Sequence, residues 1–250
     1  QGEHWIKNFS CWEQFLALTF GQLAFRESLR DIVVCLGAHR EKLYHLGFRS
    51  SLVRTTLAYA NENRDWRIYR DYAESLIKEA KKLYASDVPF CHELNGTVYV
   101  LDSTTIELCL TLFSWARVSP ERATLKLHMG LELTGNIPAF FHISDGTYSD
   151  VEYLDTLEYE TGAYYVMDRG YIDFTRLFRI HEAKAFFVTR SRKDIRWQRV
   201  CSHSTDQQMN IRCDQTIHLS TREGKKHYPE NFRRIKYFDT ETKRTYVFFT

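Results

Sequence analysis

Two aspartates, Asp102 and Asp168, each follow a short apolar run: Val98-Tyr99-Val100-Leu101 before the first, Ala163 to Met167 before the second. Carboxylates at the ends of neighbouring buried strands make a cradle for a hard divalent cation. Mg²⁺ takes oxygen ligands at about 2.0–2.1 Å and keeps several waters, so one or two carboxylates and a substrate phosphate suffice. A pair of such ions about 3.5–4 Å apart activates an attacking oxygen and stabilises a leaving one. Asp suits this better than Glu, because its short side chain holds the carboxylate close to rigid backbone. Taken singly, either aspartate also reads as a turn residue or a helix N-cap. The repeated context on two strands raises the metal reading to equal standing with the turn and N-cap readings.

Other residues could support such a site. Thr104 follows Asp102 by two and shares its face of a strand. Arg169 and Tyr171 flank Asp168, and Arg169 could meet a phosphate or a nearby acid. His128 stands among the polar residues that alternate with Leu125, Leu127, Met129, Leu131 and Leu133. Its expected place is away from the apolar side, either near the site or as a surface or packing histidine. Arg190, Arg192, Lys193, Arg196 and Arg199 surround Trp197, a mixture that suits phosphate contact beside a stacking aromatic but also describes a solvated loop. Cys201, His203, Cys213 and His218 fit no common zinc spacing and read as scattered structural residues.

The elements that must position these groups follow from periodicity. The first ninety residues read as helices: a stripe of Trp12, Phe15, Leu16, Thr19, Phe20 and Leu23; a helix opened by Ser28 with Asp31 three residues on; one through Ser51–Ala58; and one from about Arg64 to Tyr84. Pro89 closes this part. From residue 97 the period shortens. A strand at Val98–Leu101, a half-buried strand through 125–133, a turn at Thr134-Gly135-Asn136 and a return strand over Pro138–Ile143 come first. A helix over Asp150–Tyr159, a strand over Ala163–Met167, a helix over Tyr171–Glu182 and a strand over Ala185–Val188 follow. That is the element order of the ribonuclease-H-like fold, in which the first and fourth strands lie side by side. The rest reads as strands over Gln208–Cys213, Thr216–Ser220, Phe232–Phe238 and Thr245–Phe249. The expected fold class is therefore α/β: a ribonuclease-H-like mixed sheet (91–190), preceded by an all-α domain (1–90) and followed by a β-rich insertion (191–250).

Specific stretches resemble the catalytic domain of bacterial insertion-sequence transposases of the DDE type. They are Leu101-Asp102-Ser103-Thr104-Thr105-Ile106, Trp115-Ala116, Lys126-Leu127-His128, Asp145-Gly146, Asp150-Val151 and Tyr165-Val166-Met167-Asp168-Arg169-Gly170-Tyr171. The segments Ser28-Leu29-Arg30-Asp31, Tyr44-His45-Leu46-Gly47 and Ala60-Asn61-Glu62-Asn63-Arg64-Asp65-Trp66 are similar to the helical domain that precedes it in one group of these enzymes. The resemblance covers nearly the whole chain. It implies a metal-dependent strand transferase using Mg²⁺ or Mn²⁺, with Asp102 and Asp168 as the first two of three carboxylates. It also implies cleavage at transposon ends, attack of the freed 3′-hydroxyl on target DNA, and a homodimer on terminal inverted repeats in the bacterial cytoplasm and nucleoid. The helical domain would grip the DNA end. The family's third acid lies in a motif of Tyr, two residues, Arg, three residues, Glu. No such spacing occurs here, and Glu182, Glu223, Glu230 and Glu241 do not stand in for it. With Gln1 at its start and the apolar run Tyr246–Phe249 at its end, the chain reads as a fragment lacking its last carboxylate and inactive alone. The alternatives are a catalytically dead or domesticated DNA-binding remnant, or another nuclease of the same fold.

Composition agrees with a folded, DNA-directed protein. The 250 residues are 44% hydrophobic and 26% charged, which excludes a largely disordered chain. No apolar run approaches the ~18 residues of a membrane span. Net charge is +2. Residues 1–175 hold 17 Lys/Arg against 24 Asp/Glu, a balance of −7, and residues 176–250 hold 17 against 8, a balance of +9. Such a split suggests one face that meets a polyanion. Of the six cysteines, none forms a Cys-x-x-Cys pair, and reduced thiols are expected.

Overall fold

The computed structural model describes residues 8–84, 94–108, 116–205 and 209–250. Pro89, Cys91, Cys109, Trp115 and Gln208 lie outside the described residues. The chain divides into two compact units, Gln1–Ser75 and Leu76–Thr250.

The first unit holds helices α1 (Cys11–Leu23), α2 (Leu29–Gly37), α3 (Arg40–His45), α4 (Arg54–Asn63) and the start of α5 (Arg67–Leu83). Its core gathers Ala17, Ile32, Leu36, Leu43, Phe48, Leu57 and Ala60. Of the apolar stripe in α1, Leu16 and Phe20 pack against that core, whereas Trp12 is half exposed and Leu23 more so, and Glu13, Gln14, Ala17 and Gly21 are buried. Two polar side chains can occupy the inner face because each finds partners there. Glu13 closes a capping box with Ser10 and accepts the backbone N–H of Ser10 (2.6 Å) and of Arg49 (2.8 Å). Gln14 donates to Asn61 (2.6 Å) and accepts from Arg64 (2.7 Å), whose guanidinium also donates to the Ser10 carbonyl (3.0 Å). Asn61 and Arg64 thus tie the end of α4 to the start of α1. Ser28 caps α2 as expected, accepting from the Asp31 N–H (3.1 Å) and donating to its carboxylate (2.7 Å). No residue of α5 is buried.

The second unit is built on one sheet. Its strands are β1 (Val98–Leu108), β2 (Arg117–Ser119), β3 (Arg122–Glu132), β4 (Ile137–Asp145), β5 (Tyr164–Met167), β6 (Phe186–Arg190), β7 (Trp197–Ser202), β8 (Ile211–Leu219), β9 (Phe232–Asp239) and β10 (Arg244–Phe249). The order across the sheet is β4-β3-β1-β5-β6-β10-β9-β8-β7, with β2 paired to one end of β3. Strands β1, β5 and β6 are parallel; β3 runs antiparallel to β1, and β4, antiparallel to β3, has the direction of β1 again. This is the ribonuclease-H-like arrangement. Strand β10 then pairs antiparallel with β6, and β9, β8 and β7 continue as an antiparallel meander. The β3–β4 turn is enforced by Gly135 (φ +78°) and Asn136 (φ +52°), the two residue types that best tolerate left-handed backbone.

One face of the sheet is covered by α6 (Asp150–Tyr153), the 3₁₀ turn Leu154–Thr156 and α7 (Phe174–Glu182). Tyr99, Leu101, Tyr165, Met167, Phe187 and Phe249 from the strands pack there with Tyr153, Leu154, Leu177 and Ile180. Four expected elements differ. Strand β1 does not stop at Leu101, because its other edge stays paired to β3 as far as Leu108. The helix expected over 150–159 ends by Thr156. There the Thr156 hydroxyl donates to the Tyr153 carbonyl and the Tyr159 hydroxyl to that of Leu154, both at 2.8 Å, taking carbonyls a longer helix would use. Helix α7 opens at its N-cap Asp173 rather than at Tyr171. Two strands expected between 208 and 220 are one, β8, with a bulge between Ile211 and Cys213.

Glu13 carries a testable consequence. Burial raises its pKa, but the Arg49 and Ser10 N–H groups outweigh that and hold it below its ordinary 4.5. A depressed carboxylate stabilises fully above the unfolded pKa and loses its contribution as pH falls through the folded one. Glu13→Gln should therefore cost about 1–3 kcal/mol at pH 7, by thermal unfolding of the helical signal. The gap from wild type should narrow below pH 4. An equal gap at both pH values would contradict this role.

Candidate active site

The parallel pairing of β1 with β5 runs Val98↔Tyr164, Tyr99↔Tyr165, Val100↔Val166, Leu101↔Met167. The next residue on each strand is an aspartate. Asp168 keeps extended backbone (φ −76°, ψ 173°), so both aspartates directly follow the last paired residues of two neighbouring strands, whose axes lie about 4.8 Å apart. Leu101 and Met167 point into the core, so by alternation both carboxylates leave on the other face, where both are exposed. Asp102 lies within β1, not at its end; it is β5 that ends there. Both readings of Asp168 hold at once. One oxygen caps the 3₁₀ turn Arg169–Tyr171, accepting the Gly170 N–H at 2.6 Å. The second oxygen has no partner among the described residues. Asp102 likewise engages one oxygen with the Ser103 N–H (2.8 Å). Two outward carboxylate oxygens on adjacent strands form an all-oxygen donor set of the kind hard cations take. No group of three or more His, Cys, Asp or Glu that could hold a metal occurs among the described residues. Thr104, two residues along β1, is exposed on the same face.

His128 is not on a polar face. It is completely buried, because α6 covers that side of β3. Its ring stacks on Tyr153 (4.9 Å between centroids) and its Nε2 meets the Ser144 hydroxyl at 2.9 Å. Its Nδ1 has no hydrogen-bond partner and lies 3.8 Å from an Asp150 oxygen, too far for a bond. That same oxygen accepts from the Ser103 hydroxyl (2.8 Å) and the Lys126 ammonium (3.2 Å). Tyr171 is also buried, with an unpartnered hydroxyl. Burial, and then the negative charges of Asp150, Asp102 and Asp168, push its pKa above the ordinary value, with Ser103 opposing. The tyrosine thus sits in the field of all three carboxylates. Asp145-Gly146 serves packing: a Cβ on Gly146 would fall 1.7 Å from the Thr124 hydroxyl.

A cleft of about 790 Å³ begins at Arg169 and Gly170, directly after Asp168. Arg190, Arg192, Lys193 and Arg234 line it with Trp197 and Tyr246; Asp194 also lines it and pairs with Arg192 at 3.5 Å. Arg190 stacks on Tyr246 (4.9 Å) and Arg234 on Trp197 (4.6 Å), contacts that hold guanidinium groups in place. Arg196 and Arg199 are exposed but not among its lining residues. Arg234 and Tyr246 were missed in the sequence because they join the cleft only through β9 and β10. The four possible zinc ligands do not converge: His203 meets Thr216 (2.8 Å) and His218 meets Gln198 (3.2 Å).

A family model described as "Transposase DDE domain" matches residues 93–248, more than half of the chain. The chain belongs to the DDE transposase family. Residues 1–49 match a second family, a domain of unknown function (DUF4372). Over 96 residues, 38% of this chain, the sequence is 33% identical to the "Putative transposase y4zB" of Sinorhizobium fredii; the match spans 27% of that protein's length. A looser likeness, with a TM-score of 0.43 and 11% identity, covers 96% of this chain and 52% of the piggyBac transposase chain in a synaptic complex with hairpin DNA. Among the described residues of this DDE transposase chain, no helix is long and apolar enough to cross a membrane.

The buried histidine gives a second prediction. Burial lowers the His128 pKa from its ordinary 6.5, with Lys126 and His142 adding to the effect and Asp150 opposing it. An NMR titration of the imidazole should find a midpoint below 6.5. The neutral ring's contribution to stability should be full above the unfolded pKa and lost as pH falls through that midpoint. A midpoint at or above 6.5 would show that Asp150, not burial, dominates.

Proposed function

We propose that this protein is a DNA transposase whose Asp102 and Asp168 are two of the carboxylates that hold Mg²⁺ or Mn²⁺ at the cleavage centre. The observation that carries the reading is the strand register: the last paired residues of β1 and β5 are Leu101 and Met167, so the aspartates emerge side by side. Their free oxygens, and the exclusively oxygen character of the pair, suit a hard cation. When bound there, such a cation supplies Lewis-acid stabilisation of charge on phosphodiester oxygens. The chain's own groups do the rest. The Gly170 and Ser103 N–H groups orient the two carboxylates. Arg169, Arg190, Arg192, Lys193 and Arg234 receive the DNA backbone in the adjoining cleft, where phosphate contacts give affinity without reading sequence. Thr104, exposed beside Asp102, is available to orient a phosphate.

The substrates on this reading are double-stranded DNA at transposon terminal inverted repeats and the target duplex. Phosphodiester hydrolysis frees a 3′-hydroxyl, which attacks the target strand, with no covalent enzyme–DNA intermediate. A third carboxylate completes the set, and a homodimer brings two ends together. The helical unit contributes end binding.

Two experiments test this. In the full-length protein, Asp102→Asn or Asp168→Asn should abolish Mg²⁺-dependent cleavage of end DNA and leave DNA affinity within about twofold; cleavage that survives either change would overturn the assignment. DNA binding without cleavage in the wild type would instead favour a binding remnant. Separately, Arg192→Ala combined with Arg234→Ala should weaken DNA binding and reduce the slope of log K against log salt by roughly 1.8, about 0.9 for each phosphate no longer neutralised. An unchanged slope would remove the cleft from the DNA path.

A further inference from the structure

We propose that Asp150 is a positioning residue that fixes the segment of β1 bearing Asp102; the inference rests on the reading of Asp102 and Asp168 as a metal-holding pair. Asp150 stands on the covered face of the sheet, opposite the side on which the pair emerges. A single oxygen of its carboxylate accepts from Ser103, the residue next to Asp102, and from Lys126 on β3. The same oxygen lies 3.8 Å from the unpartnered Nδ1 of buried His128. It therefore joins two strands and α6 at the level of the site.

Beyond Leu101, β1 has lost its parallel partner. Its remaining lateral support is the antiparallel ladder to β3, where Ser103 pairs with His128 and Thr105 with Lys126. The Ser103–Asp150 bond supplies a second anchor from the layer above. Asp150 is itself held, because α6 opens with a capping box in which Ser149 and Glu152 satisfy each other's backbone. Tyr171, whose buried hydroxyl lies in the field of Asp150, Asp102 and Asp168, packs where β5 ends and brings the Asp168 side into the same assembly. A carboxylate pair aligned this way keeps its spacing before a cation arrives, and its affinity does not have to include ordering of the strand.

Manganese binding by the isotope-labelled protein tests the idea, followed by paramagnetic broadening of the Asp102 and Asp168 amides. Asp150→Asn and Ser103→Ala should each weaken Mn²⁺ binding about fivefold. The double variant should be no weaker than either single one, as expected for two groups acting through one bond. Ser103→Thr, which restores a hydroxyl, should recover wild-type binding, a result that general destabilisation would not give; it also keeps the idea testable if Asp150→Asn does not fold. Unchanged Mn²⁺ affinity in folded Ser103→Ala, or losses that multiply in the double variant, would overturn the positioning role alone. Absence of broadening at either aspartate in the wild type would sink the metal-pair reading and this inference with it.

Discussion

The parallel ladder between β1 and β5 is the constraint from which the rest of the second unit follows. Four residue pairs set it, and two of them, Tyr99 with Tyr165 and Leu101 with Met167, are buried on the same face. The tyrosine rings stack at 5.4 Å. A slip of one residue would turn these side chains out of the core and drive the intervening residues in, so the register is strongly specified. The two aspartates inherit their juxtaposition from it. They come immediately after the last buried pair, at the carboxyl end of the parallel strands, where open α/β sheets place their ligand sites.

The same sheet gathers the positive charge. Strand β10 returns antiparallel to β6, setting Phe248 opposite Arg190, and β9 beside it carries Arg234. Cations far apart in the chain thereby line one wall, next to the aspartates. Arg190, Arg192, Lys193 and Arg234 bring part of the +9 balance of residues 176–250 into one cleft.

Both units keep their geometry with carboxylates that are satisfied on the inside. Glu13 accepts backbone N–H groups at the start of α1, and Asp214, nearly buried in β8, is gripped by the Arg233 guanidinium, whose hydrogen bond lowers its pKa. Asp150, a third exposed, joins the layers through one oxygen that accepts from Ser103 and Lys126. An unpaired buried charge is costly, whereas a fully bonded one fixes its neighbours in direction as well as distance. Asp102 and Asp168 differ in being exposed, each with one oxygen held by a backbone N–H.

Read alone, the sequence determined a helical part, a β-rich part and the element order of a ribonuclease-H-like sheet, and it offered Asp102 and Asp168 as candidates. These rest on local periodicity and on residue types whose spacing repeats. It found α1 and the inward Leu16 and Phe20 but not the buried Glu13 and Gln14, because polar side chains go inside only where tertiary partners meet them. It put His128 on the face opposite Leu127 and Met129 but left its burial open, since alternation marks an open face only when one face is open, and α6 closes the second. Arg234, Tyr246 and the Ser103–Asp150 bond were invisible for a common reason. Each joins residues far apart in the chain, and only strand pairing and helix packing decide which distant side chains meet.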